Sequence, residues 1–202
     1  MFDTILNWLI QNYIEVLGTV TGLIYLVFSI RQNILLWPLG ILTSALYILV
    51  FFQSKFYADM GLQVYYLFIS FYGWYNWLYG NPESNDTSLK VTRASKMLLI
   101  KLIPVSIIIF AVISFILVKF TDSPLPYWDA FTTAASIIAT WMLAKKIIEH
   151  WLIWIVVDAV SMGLYIYKDL YPTTLLFFVY TSMAILGYIT WKKELQKIEQ
   201  TI

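Results

Sequence analysis

Apolar residues in this chain do not recur at the spacing of an amphipathic helix or strand; they run on. Over roughly 12–30, 34–52, 58–79, 97–119, 127–143, 149–167 and 171–191 the sequence is almost continuous in large aliphatic and aromatic side chains. Each run is close to the roughly 20 residues that a helix needs to cross the hydrocarbon core of a bilayer. A membrane barrel would alternate apolar and polar residues with a period of two, whereas Met97–Val118 is apolar on every side. The pattern predicts an all-α integral membrane protein with seven transmembrane helices.

Composition agrees: 60% of the 202 residues are hydrophobic and only 12% are charged, too few to coat a water-facing surface. A formal net charge of +1 argues against a nucleic-acid partner. What matters is where the cations sit. With the N-terminus outside, the inside segments carry Arg31, Lys90, Arg93, Lys96, Lys145, Lys146, Lys192, Lys193 and Lys197, with Lys101 near the same face. Outside there are Lys55, Lys119 and Lys168 alone. The positive-inside rule then predicts N-out and C-in in a bacterial inner membrane. Met1–Ile10 holds no Lys or Arg and no small-residue cleavage site follows, so it reads as an interfacial segment rather than a signal peptide.

The sequence has no cysteine, which removes disulfides, thiolate metal sites and cysteine nucleophiles. Its one histidine, His150, stands at a span boundary outside any His-Glu-x-x-His motif. No second acid sits near Asp158 on span six. Neither a catalytic residue, a metal site nor a cofactor is expected, and an intramembrane enzyme is disfavoured on inventory alone.

An internal repeat is legible. Asn33 and the residues after it can be laid on His150 and its followers, Lys55 on Lys168, Gly73 on Gly187, and Trp77 on Trp191. The offset shortens by three residues on the way, which points to a shorter end of span six. The expected organisation is a first three-helix bundle over 1–79, a cytoplasmic linker and connecting helix over 80–126, and a second bundle over 127–202. A shift of four helices preserves orientation, so this 3+1+3 repeat would be parallel, as in one class of transporter. Chance likeness between Trp-rich segments is the alternative. The linker 80–96, rich in turn formers, is expected to be mobile.

An acid within a span is expensive and usually faces a cavity, a partner or a substrate. Asp158 is such an acid, eight residues into span six, and Trp151, Trp154, Asp158 and Tyr165 share one helical face. A carboxylate among aromatic rings suits an aromatic cation. Against this stands a plain interfacial Trp belt with an Asp hydrogen-bonded to neighbouring hydroxyls. Span three carries a similar stripe of Gln63, Tyr66, Ser70, Trp74 and Trp77; Trp77 reads as an interfacial anchor, the deeper polar residues as better site candidates. Asp129 fits the N-terminus of span five. Small residues in spans one and five need only close helix approach to explain them.

The stretches Phe56–Tyr66, Tyr72–Trp77, Tyr127–Ala130 and Trp151–Asp158 together resemble the PnuC family of bacterial vitamin transporters, over nearly the whole chain. The resemblance implies a carrier of three plus one plus three helices, architecturally related to the SWEET sugar carriers and usually a homotrimer in the lipid. It implies facilitated diffusion of a small vitamin, trapped by a cytoplasmic kinase. The family's Trp-x-x-Trp-x-Val-x-Asn signature is met by Trp151, Trp154 and Val156, but Asp158 takes the place of Asn. Ser70 replaces the Asn that nicotinamide riboside carriers tend to have. Both departures make the chain look more like the thiamine-carrying branch, PnuT, with nicotinamide riboside the alternative. A vitamin receptor that does not transport is the rival from another class; it would lack a purpose for the repeat.

Overall fold

Helix termini show how the chain turns at the end of each span. The computed structural model describes residues 13–53, 57–80, 89–167, 169 and 171–201. Among these, seven helices run in order: α1 (Tyr13–Ile30), α2 (Leu36–Gln53), α3 (Tyr57–Tyr79), α4 (Lys96–Phe120), α5 (Pro126–Ala144), α6 (His150–Tyr167) and α7 (Tyr171–Thr201). The expected spans are therefore present, with α7 continuing past the apolar stretch on helix-forming Lys, Glu, Gln and Leu. The expected segment Met1–Ile10 lies outside the described residues.

α1 ends with Gln32 in the left-handed region (φ 53°), and α5 with Lys146 (φ 50°). In each, the residue after the left-handed one donates back five positions, Asn33 N to Phe28 O at 2.8 Å and Ile147 N to Met142 O at 3.0 Å. This is the Schellman closure, formed twice without glycine. α4 begins at Ser95, whose hydroxyl accepts from Leu98 N, and α5 begins with Pro126 in its first turn, where a missing amide donor costs nothing.

The turns expose a regular repeat. Adding 114 to the ends of α2, residues 36 and 53, gives 150 and 167, the ends of α6; adding it to 30 and 57 gives the end of α5 and the start of α7. The packing follows the same rule. α2 packs on α3 as α6 does on α7, α1 on α2 as α5 on α6, and α3 meets α5 as α7 meets α1. α4 packs beside α5.

The repeat aligns differently from the expected register. Trp37 corresponds to Trp151, at the constant offset, and not to Trp154. The indole of Trp37 lies where a Cβ on Gly73 would stand, and that of Trp151 covers Gly187 in the same manner. The proposed shortening of span six is unnecessary.

The linker is also more ordered than its composition suggested, in its described part. Thr92 N donates to Lys146 O and Ile148 N to Thr92 O, both at 3.0 Å, a one-residue parallel bridge. Ala94 N donates to Glu149 Oε2 at 2.8 Å, and Val91 is buried. Residues 89–95 are thus docked on the α5–α6 turn.

α4, α6 and α7 are long and apolar enough to cross a membrane alone, and Thr19–Ile30 and Leu36–Leu49 are shorter apolar stretches. The surface supports this: Phe68, Ile100, Ile108, Phe115 and Leu175 are among many large apolar side chains left exposed, a pattern that water would penalise and hydrocarbon does not. The main core, by contrast, gathers where α1, α3 and α5 finish and α7 leaves its apolar stretch. Leu36, Trp37, Trp77, Leu143, Ile148, Trp151 and Trp191 form it. Arg31, Lys145, Lys146, Lys192 and Lys193 flank this region, hereafter the basic end.

Candidate functional site

Halfway along α6, Asp158 is 6% exposed. Among the described residues it has neither a hydrogen bond nor an ion pair. It does lie within electrostatic reach of two hydroxyls, Tyr66 on α3 and Tyr180 on α7. These two tyrosines are register equivalents, since 66 and 180 differ by 114. The acid therefore sits between matching residues of the two halves. Its own counterpart in the first half is Ser44, also buried, so the charge is what breaks the symmetry of the site.

Neighbouring hydroxyls complete the surroundings. The side chain of Ser136 on α5 lies beside the Tyr66 hydroxyl. Tyr180 is in electrostatic contact with Tyr47 on α2, and its hydroxyl would stand 3.2 Å from a Cβ on Gly22 of α1. Tyr25 and Tyr65 interact with Tyr66, and Tyr65 is fixed by donating to Ile137 O at 2.7 Å. All six helices of the two halves thus contribute to one polar patch at mid-membrane depth. A lone carboxylate here is costly unless a cation meets it. Aromatic faces and hydroxyls beside it can receive a flat cationic ring by charge pairing, cation–π contact and hydrogen bonds.

The candidates from the sequence distribute unevenly around this patch. Tyr66 and Asp158 come together, and Trp154, half-buried, is one turn from Asp158 toward the basic end. Tyr165 lies further along α6, stacked on Phe177 at 5.1 Å between centroids. Gln63 is half-buried one turn from Tyr66. Ser70 is buried, with its hydroxyl donated to Tyr66 O at 2.7 Å and its side chain pressed on Gly40; it holds α2 and α3 together. Trp74 is 37% exposed. Trp151 is fully buried in the core of the basic end, 4.6 Å from His150 and 5.8 Å from Trp191 between ring centroids. Asp129 lies in the first turn of α5 and accepts from Ser123 Oγ.

Tyr25, Tyr47 and Tyr180 were not singled out from sequence, and Ser136 reads there only as one of the small packing residues of span five. The repeat carried the signal for Tyr180, once Tyr66 is shifted by 114. A separate concavity lies elsewhere, a groove of about 490 Å³ between α4, α5 and α6. Its lining, including Phe110, Phe131, Leu152 and Val156, is almost wholly apolar and holds none of these groups. Among the described residues no cluster of His, Asp and Glu is placed to hold a metal.

Residues 12–193 match the family model for the nicotinamide mononucleotide transporter. The nicotinamide riboside transporter PnuC of Escherichia coli (strain K12) is 24% identical over 204 residues, covering 89% of this chain and 85% of the relative. The riboflavin/roseoflavin transporter RibM of Streptomyces davaonensis is also 24% identical, covering 95% of this chain and 87% of its own. In fold, the crystal structure of the vitamin B3 transporter PnuC superposes with a TM-score of 0.73 at 22% identity, over 96% of this chain and 87% of that one.

Proposed function

Because this chain belongs to the nicotinamide mononucleotide transporter family, and is thus a multi-pass membrane transporter of the PnuC type and not an enzyme, we propose that it carries thiamine. The observation behind this reading is the buried carboxylate of Asp158 between Tyr66 and Tyr180, without a hydrogen bond or ion pair among the described residues. Thiamine brings a permanent thiazolium charge and an aminopyrimidine, so one end of the vitamin pairs with the carboxylate or donates its amino group to it. The other end lies against the aromatic rings. Riboflavin, the cargo named for one relative, is neutral and leaves the carboxylate unmet.

Nicotinamide riboside is the second reading, favoured by the name of the Escherichia coli relative and by its own cationic pyridinium. Charge does not separate the two vitamins; the Asp158 and Ser70 departures from the family pattern favour thiamine. On this account Asp158, Tyr66, Gln63, Trp154 and Tyr165 contact the substrate from α3 and α6. Ser70, Trp74 and Trp151 support the site from behind. Transport is facilitated diffusion with trapping by a cytoplasmic kinase. The chain sits in the inner membrane as a homotrimer with its basic end in the cytoplasm.

The test is counterflow. Proteoliposomes preloaded with unlabelled thiamine should draw in labelled thiamine at least tenfold faster than empty liposomes, and nicotinamide riboside should compete poorly. Counterflow with nicotinamide riboside and none with thiamine would replace the first reading by the second. A protein that binds either vitamin yet exchanges neither would contradict transport.

A further inference from the structure

Trp77 on α3 and Trp191 on α7 differ by 114 positions, and each reaches into the opposite half. Trp77 Nε1 donates to Leu143 O at 3.2 Å, and Trp191 Nε1 donates to Ser29 O at 3.1 Å. The acceptors also differ by 114, and each precedes a Schellman closure, the last turn of α5 or of α1. Two register-equivalent donors and two register-equivalent acceptors thus form a reciprocal pair of ties. We infer that Trp77 and Trp191 are paired latches that hold the basic end shut, and that both must release for substrate to pass through that end.

Position supports a gate rather than one more packing contact. The ties cross between the halves, whose relative movement is how a repeat transporter alternates access. They also lie inside a fully formed plug: Trp37 meets Trp77 edge-on at 5.4 Å and 89°, and Trp151 meets Trp191 edge-on at 5.8 Å and 86°. Both core clusters lie toward this end, and the described residues hold no comparable plug at the opposite one. The acceptors are carbonyls already used or spare at helix ends, so releasing an indole N–H leaves them able to bond water without unwinding a helix.

The same plug contains groups that opening would relieve. Trp37 Nε1 and Trp151 Nε1, again 114 apart, are buried without a hydrogen-bond partner, as is His150 Nε2. A buried unmet donor or acceptor is costly, and water admitted to an open end would satisfy all three, donating to His150 Nε2 and accepting from the two indoles. Closed, the end is held by the two indole ties, by Asn76 Nδ2 donating to Ala144 O at 2.8 Å and by apolar packing; open, it gains three hydrated groups. That balance suits an element that must occupy both states.

Because the inference rests on membership of a transporter family and not on which vitamin is carried, its test needs no substrate. The chain has no cysteine, and Ser29 is 1% exposed with its backbone carbonyl, not its hydroxyl, as the acceptor. Ser29→Cys therefore adds a single reporter to the full chain in nanodiscs without touching the latch. Its labelling by a hydrophilic maleimide should be slow. Trp77→Phe and Trp191→Phe, which keep a ring and lose the donor, should each raise the rate at least fivefold and to a similar extent, and the double variant further still. Ile148→Ala, a loss of packing in the same plug, serves as the comparison at matched loss of Tm. Rates within twofold of the parent in both Phe variants would overturn the latches. So would acceleration no greater than that of Ile148→Ala, or a response confined to one of the two tryptophans.

Discussion

The indole of Trp151 occupies the space a side chain at Gly187 would need: a Cβ there would lie 2.6 Å from three of its ring carbons. Trp37 stands over Gly73 in the same way, at 2.3–2.6 Å. Both glycines lie within helices with ordinary backbone angles, so their role is the absence of a Cβ and not conformational freedom.

Gly73→Ala and Gly187→Ala should therefore destabilise the protein by about 1–3 kcal/mol each, the usual cost of forcing atoms into a packed core. Thermal denaturation in detergent checks this. Gly61→Ala and Gly163→Ala, where nothing lies within 4 Å of the added carbon, should leave Tm unchanged or slightly raised.

The docked linker gives a second expectation. Glu149 Oε2 accepts from the backbone of Ala94, so Glu149→Ala leaves that amide unpartnered and loosens the bridge between Thr92 and residues 146–148. Hydrogen exchange at Thr92 and Ala94 should quicken at least tenfold, a change of about 1.4 kcal/mol or more in local opening. Exchange in the middle of α6 should stay as it is. Unchanged exchange at Ala94 would mean that the carboxylate contributes nothing to docking.

Tyr180 provides the third. If its hydroxyl shares the recognition of substrate with Tyr66, then Tyr66→Phe and Tyr180→Phe should each weaken vitamin binding by about 0.5–1.5 kcal/mol, the range for one neutral hydrogen bond. Gly22→Ala, which crowds the Tyr180 hydroxyl at 3.2 Å, should weaken it less. Isothermal titration measures all three. An effect at Tyr66 alone would place the substrate against α3 and away from α7.

Much of the architecture was legible because bilayer thickness dictates it. A run of apolar residues of the right length leaves the backbone no alternative to a helix, which is why the described helices begin and end within a few residues of the predicted spans, except that α7 runs on to Thr201. The register of the repeat was harder to read. Trp151 and Trp154 compete for the partner of Trp37, and only the glycine opposite, 36 positions further on in each half, tells them apart. The site was half legible. Asp158 stands out because a charge in a span is rare, whereas Tyr25, Tyr47 and Tyr180 read as ordinary amphipathic residues in aromatic-rich helices. Their convergence depends on how helices far apart in sequence cross, as does the docking of residues 89–95.

The account turns on Asp158 meeting a cation, and the most direct test is titration of the purified protein with thiamine, followed by tryptophan fluorescence, for the native chain and for Asp158→Asn. The substitution keeps size and shape and removes only the charge. Thiamine should bind the native protein saturably and bind the variant at least tenfold more weakly, a loss of about 1.4 kcal/mol or more, with Tm equal or higher because a buried lone charge has been removed. Equal thiamine affinity in the two proteins, or binding of nicotinamide riboside or riboflavin that the substitution does not touch, would contradict it.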